Sequence, residues 1–409
     1  MCLPGFDLLY HLLRRTETHR RKSIINILCK SAFVRLWYNR TMKKSSRKRI
    51  PFHELAPVRL VLTAAALLTV AVYYLTRGNS AFMEHVYYSI TKPYHVFMAR
   101  LCSHVPFSVA EAVWTAAAVF VLIYLIVQII LLIRGRNRIL RVYRTLLTVT
   151  MTASLFWAGF SLLWSPCYYA PSFAGQSGIS DGPVSVDDLT SVTKYMAALA
   201  NEYSDGTERG ADGVCTLDRS SVLDRASGIY DNAAALWPFL DGEKLRPKAM
   251  VFSRLMSALD FTGYYFPMTG EANLNMDFTA ALLPETAEHE ISHQRGIARE
   301  QECNFIAAAA CLASDDNEFR YSGALMAYIY LGNALKSADE SAWQEIASTL
   351  SGNVKADLAA NNAYWAQFQN SAVQKASNNI YGDFLEDNGQ TLRLKSYGAC
   401  VNLLVNYYH

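Results

Sequence analysis

The chain has 409 residues, enough for more than one structural unit, and its net charge of +3 conceals a division. Before residue 166 there are 22 Lys/Arg against five acids, and from 166 onward 16 Lys/Arg against 30 Asp/Glu, which gives +17 and −14. That split, with the apolar residues concentrated in the front part, argues against one soluble fold in one environment, and no nucleic-acid partner is expected.

Residues 1–55 form a basic leading segment that could contact anionic lipid heads. MKKSSRKRI at Met42 also reads as an ordinary beginning for a membrane protein. Three apolar runs follow within 56–165: Ala56 to Leu75, Ala110 to Ile133 and Leu146 to Trp164. Each approaches or exceeds the roughly 20 residues that cross a bilayer as helix. The loop between the second and third runs carries Arg134, Arg136, Arg138, Arg141 and Arg144, whereas 77–109 has only Arg77, Lys92 and Arg100. The excess of basic residues predicts a multi-pass protein of the cytoplasmic membrane, with the lipid bilayer as partner, the N-terminus cytoplasmic and everything after the third span outside. No cleavable signal is evident. The eight cysteines form no CxxC pair, and an outside location permits disulfides, for example at Cys303.

Residues 166–183, rich in Pro, Gly and Ser, read as a linker, and 184–409 as an external domain. Its periodicity predicts helices over 187–203, 219–237, 317–336, 339–350, 353–377 and 390–407. A short strand is expected at 249–252, and GYYFPMTGEANLN (263–275) reads as extended. From Glu285 the pattern is helix, then a break at Gly296, then helix from Ala298 through Leu312.

Residues 289–293 are His-Glu-Ile-Ser-His. Four residues apart on a helix, His289 and His293 share one face and can reach one zinc ion, with Glu290 placed as general base on the water it holds. A catalytic zinc needs a third protein ligand, and Arg299 stands where a third histidine would complete HExxHxxGxxH. Glu300 and Glu302 remain. On a straight helix Glu300 would lie about 10 Å up the axis, so the chain must turn back, which Gly296 allows. Glu300 is the favoured ligand and Glu302 the alternative; Asn304, one turn beyond Glu300, is expected to orient its carboxylate. Glu271 or Tyr265 in the extended segment could contact substrate, with a structural cap as the plain alternative for Glu271. Tyr381 and Tyr397 could donate to an oxyanion.

The run HEISHQRGIAREQECNF resembles an uncharacterised bacterial family of multi-span membrane proteins, a domain of unknown function regarded as zincin-like, with the pattern HExxHxxGxxRExEAN. The resemblance also takes in WSPCYYAPSFAGQSG, GYYFPMTGEANLN and SYGACVNLL. EQECN is similar to the ExxxD element of membrane zinc proteases such as the CAAX prenyl protease family, which implies Glu300 as ligand. Cys303 and Asn304 depart from those patterns, Asn304 replacing an Asp. The expected architecture is three N-terminal transmembrane helices followed by a mainly α-helical, zincin-like external domain with a small extended element. The expected function is a zinc metallopeptidase acting on proteins or peptides at the membrane surface. The alternative is a non-catalytic envelope protein with a structural zinc or a sensory domain.

Overall fold

A computed structural model describes residues 55–135, 137–369, 371–387 and 397–409. The basic segment before residue 55, with its expected lipid contact and Met42, lies outside the described residues. The helices of the membrane region are α1 (Pro57–Thr76), α2 (Lys92–Ser103), α3 (Val109–Arg134) and α4 (Arg138–Leu163). Helices α1, α3 and α4 are long and apolar enough to cross a membrane, so the protein is a membrane protein by length and composition of its helices.

The described residues divide into two compact units. One holds residues up to Leu75 together with Ala118–Ser161. Inside it, Ala66 and Val70 of α1 pack against Ala158 of α4, small residues that let two helices approach closely. Arg59 donates to the Thr148 hydroxyl at 2.8 Å, so a cation near the end of one span is satisfied by the other.

The second unit holds Thr76–Ala117 and Leu162–His409. Its longer further helices are α5 (Val186–Ser204), α6 (Arg219–Ile229), α7 (Leu283–Gln294), α8 (Glu300–Leu312), α9 (Asn317–Ala338), α10 (Glu340–Ser348), α11 (Gly352–Ala366), α12 (Ala372–Asp387) and α13 (Tyr397–Tyr408). One apolar core runs through most of them and includes Ile291 of α7, Phe305 and Ile306 of α8, Phe319 of α9 and Leu404 of α13. A three-stranded sheet lies beside α7, in the order β1 (Lys248–Ala249), β3 (Glu271–Leu274), β2 (Gly263–Phe266). Strands β2 and β3 form an antiparallel hairpin with Gly263 opposite Leu274 and Phe266 opposite Glu271, while β1 runs parallel to β3.

The strand expected over 249–252 is cut short because the Glu111 carboxylate takes the N–H groups of Val251 (2.9 Å) and Phe252 (2.6 Å) out of the ladder. The single helix expected over 353–377 is two, since the Ser371 hydroxyl accepts from the Gln374 N–H and starts α12 anew. The segment between the first two spans, to which the sequence assigned no structure, is helical from Ser80 to Ser103, with a π turn at Tyr87–Thr91. It is bound into the second unit: Thr91 donates to the Leu162 carbonyl and Tyr94 to the Met268 carbonyl. Residues 165–169 form a 3-10 turn with Pro166, Cys167 and Tyr168 buried, so the segment read as a linker begins inside the core.

Candidate metal centre

Helix α7 starts with Pro284 in its first turn, where no intrahelical N–H is needed. One turn apart near its end, His289 and His293 bring their Nε2 atoms to 3.1 Å. Gly296 then terminates the helix with φ of +98°, a left-handed conformation. The Gly296 N–H donates to the His293 carbonyl at 2.9 Å and the Ile297 N–H to that of Ser292 at 3.2 Å, a paired closure of the last turn. A Cβ at 296 would fall 2.0 Å from the Tyr87 hydroxyl, so glycine is required by conformation and by space. The same closure sets the Ile297 carbonyl 2.7 Å from Nδ1 of His293. A carbonyl only accepts, so Nδ1 donates to it, and Nε2 is the nitrogen turned toward the cluster and able to bind an ion once deprotonated.

Helix α8 begins at Glu300. Its Oε2 lies 3.2 Å from His289 Nε2 and 3.4 Å from His293 Nε2, and the three groups could hold a metal ion. Donor separations of this size are the edges of a tetrahedron with bonds of about 2.0–2.1 Å. Two imidazole nitrogens and one carboxylate oxygen suit a borderline divalent cation. The other carboxylate oxygen, Oε1, accepts from the Tyr381 hydroxyl of α12. The side chains of His289 and Glu300 are 14% and 20% exposed against 6% for His293, so the cluster opens to solvent on one side.

Glu290 is buried beside this cluster, and its Oε2 has no hydrogen-bond partner among the described residues. Burial raises its pKa to about 7, against the pull of His289 and His293. Its room is made by Gly263 of β2, where a Cβ would come within 2.5 Å of Oε1. Glu300 behaves oppositely. Burial disfavours its charge, but His293 foremost, and hydrogen bonds to both imidazoles, hold it well below the usual carboxylate range. Burial likewise opposes a proton on His289, but the hydrogen bond to Glu300 together with the charges of Glu300 and Glu290 outweighs it, so its pKa is raised.

A family model matches residues 82–405. The chain belongs to the family described as Protein of unknown function (DUF3810). No curated protein and no solved structure matches it. The DUF3810 match bears out the family resemblance read from the sequence, and it spans every residue of the cluster as well as Tyr87, Gly263 and Tyr381.

Among the other residues singled out in this DUF3810 chain, Glu302 turns from the cluster into a 3.2 Å ion pair with Arg299. Asn304 is half-buried and makes no hydrogen bond to Glu300 among the described residues; Tyr381 does so instead. Glu271 is a cap, accepting from the Val109 N–H at 3.0 Å and the Ala110 N–H at 2.8 Å where α3 begins. Tyr265 lies one ring behind the centre: it packs on Trp164 at 5.3 Å, which in turn meets His293 edge to face at 5.9 Å. The side chain of Tyr397 lies outside the described residues. Cys303 is free, with Sγ 3.4 Å from His293 Nδ1, and none of the six described cysteines is disulfide-bonded. Sequence reasoning missed Trp164, Tyr87 and Gly263. Trp164 and Gly263 stood within runs that carried the family resemblance, whereas nothing in the sequence marked Tyr87.

Proposed function

We propose that this protein is a membrane-anchored zinc metallopeptidase with a zincin-like arrangement in its large unit, hydrolysing peptide bonds of cell-envelope proteins or peptides. One observation carries the reading: three ligand groups close on one point beside a buried glutamate that has an unpartnered oxygen. His289, His293 and Glu300 would hold the ion, which when bound supplies Lewis-acid polarisation of a carbonyl and eases deprotonation of water.

The chain's own residues account for the rest. A buried carboxylate, made more basic by desolvation, is suited to take up a proton and pass it on. Glu290 takes a proton from the attacking water at Oε2 as the water oxygen bonds to the carbonyl carbon. It then delivers that proton to the amide nitrogen as the C–N bond breaks. Strand β2 is at the edge of its sheet with Gly263 against Glu290, a place where an extended peptide could add by backbone pairing. Tyr381 holds Glu300 so that Oε2 faces the imidazoles. The arginine-rich loop after α3 supports an external location for the large unit, with the N-terminus in the cytoplasm. A reporter fused after residue 183 and active only outside the cytoplasm would agree with that topology.

The deciding test uses the full chain purified in nanodiscs, its metal content measured and its cleavage of a mixed peptide library followed by mass spectrometry. About one zinc per chain is expected, with cleavage falling ~10²–10⁴-fold in Glu290→Gln while the metal stays. Retained metal with no cleavage by the wild type, or cleavage indifferent to Glu290→Gln, turns the reading to a structural site in a binding or sensory protein.

A further inference from the structure

The large unit carries a cluster of exposed apolar side chains on the segments that adjoin its span ends. Val251, Phe252 and Leu255 are 80%, 50% and 56% exposed, on the turn and short helix after β1. On α12, Val373 and Ile380 are 51% and 71% exposed, and Ala376 between them is also exposed. The spacing of 373, 376 and 380 forms one outward stripe, while Tyr381 on another face of α12 meets Glu300.

These two segments are neighbours. The Ser377 hydroxyl donates to the Leu259 carbonyl at 2.8 Å and the Asn378 amide to Asp260 at 3.0 Å. Both are tied to the membrane helices within this unit. Glu111, in the first turn of α3, holds the N–H groups of Val251 and Phe252, and the next residues of α3, Val113 and Trp114, are about half exposed themselves. At its other end, α12 receives a 2.9 Å hydrogen bond from Arg77, directly after α1, to the Asp387 carbonyl. Arg254 and Lys375 lie within these segments and are exposed, and long cations of this kind can lay their stems on apolar surface with their heads in water.

We infer that Val251, Phe252, Leu255, Val373 and Ile380 form a membrane-contacting surface, seated in the lipid leaflet from which α3 enters the bilayer. Apolar exposure on this scale marks an interaction site, and its continuity with the start of a span selects lipid over a soluble partner. Helix α12 then lies with lipid on one face and the Glu300 contact on another. The inference does not depend on the metal or on catalysis.

The test places an environment-sensitive NBD fluorophore at Phe252→Cys and, separately, at Ile380→Cys in the full chain, in phosphatidylcholine nanodiscs. Ser341→Cys, exposed on α10, is the aqueous control, and the wild-type chain labelled in parallel gives the background of the native cysteines. Positions 252 and 380 should show blue-shifted emission and be quenched several-fold more by a nitroxide on the lipid chains than by iodide in solution, with position 341 the reverse. Quenching at 252 and 380 that matches 341 overturns the inference. So does protection from both quenchers, which would mean a protein covers the patch.

Discussion

Glu271 and Glu111 are buried, and each gives both carboxylate oxygens to backbone N–H groups: those of Val109 and Ala110 for Glu271, those of Val251 and Phe252 for Glu111. Glu290, equally buried in the same unit, has an oxygen that meets no donor, and Glu300 is shared between two imidazoles and a phenol. The residue type is the same throughout, and Glu290 is as buried as the two caps while Glu300 is half-buried; the partners differ. A carboxylate saturated by backbone donors is spent on holding two segments together, whereas an unsaturated one keeps a free acceptor whose desolvation cost must be met by something else. Among these four acids it is the partners, not burial, that set the two caps apart from the two acids of the cluster.

The contrast can be broken most strongly at Glu300. Glu300→Ala should weaken metal binding by more than the roughly 10–100-fold typical of outer contacts, while Glu302→Ala leaves it in place, read by competition with a metal chelator. Equal losses in the two variants would show that the third ligand is misassigned.

A second effect is on pH. Burial raises the pKa of Glu285 from its ordinary 4.5 to about 8, and that of Glu290 to about 7. The folded chain therefore keeps protons that the unfolded chain releases above pH 4.5. Their contribution to stability is fully present below 4.5 and is lost as pH rises through 7 to 8, at up to about 1.4 kcal/mol per pH unit for each group. The melting temperature of the metal-free protein should fall less steeply between pH 5 and 8 in Glu285→Gln than in wild type. An unchanged slope would mean that Glu285 is not buried as a proton-holding acid.

Removing a structural acid should do something different. Glu271→Ala should lower stability by ~1–3 kcal/mol in thermal unfolding, because two N–H groups at the start of α3 lose their acceptor. Metal bound per folded chain should not change. The smallest effect is expected at Tyr381→Phe, which removes one hydroxyl from Glu300 and should weaken metal binding about 10-fold with no measurable shift in thermal stability.

Much of the site was legible along the chain. Its helices follow apolar periodicity, and the pair His289 and His293 depends only on four-residue spacing within one helix. The turn at Gly296 and the return of Glu300 follow from a single residue able to adopt positive φ, close enough to the motif to be argued step by step. Glu271 was readable only as a choice between cap and substrate contact, because its partners at Val109 and Ala110 lie 162 and 161 residues away. The strand expected at 249–252 failed for the same kind of reason, since Glu111, the acid that takes its N–H groups, comes from the far side of two spans.

The amino-acid sequence by itself determined three apolar helices and two imidazoles on one helical face, properties set by periods of a few residues. Only the tertiary structure decided that Glu300 closes the cluster while Glu302 leaves it, and that Tyr381 holds the Glu300 carboxylate. It also decided that Gly263 makes room for Glu290 and that Trp164 stands behind His293. Burial, hydrogen-bond saturation and the energy of a charge depend on atoms contributed from distant segments, and no local pattern encodes which segments those are.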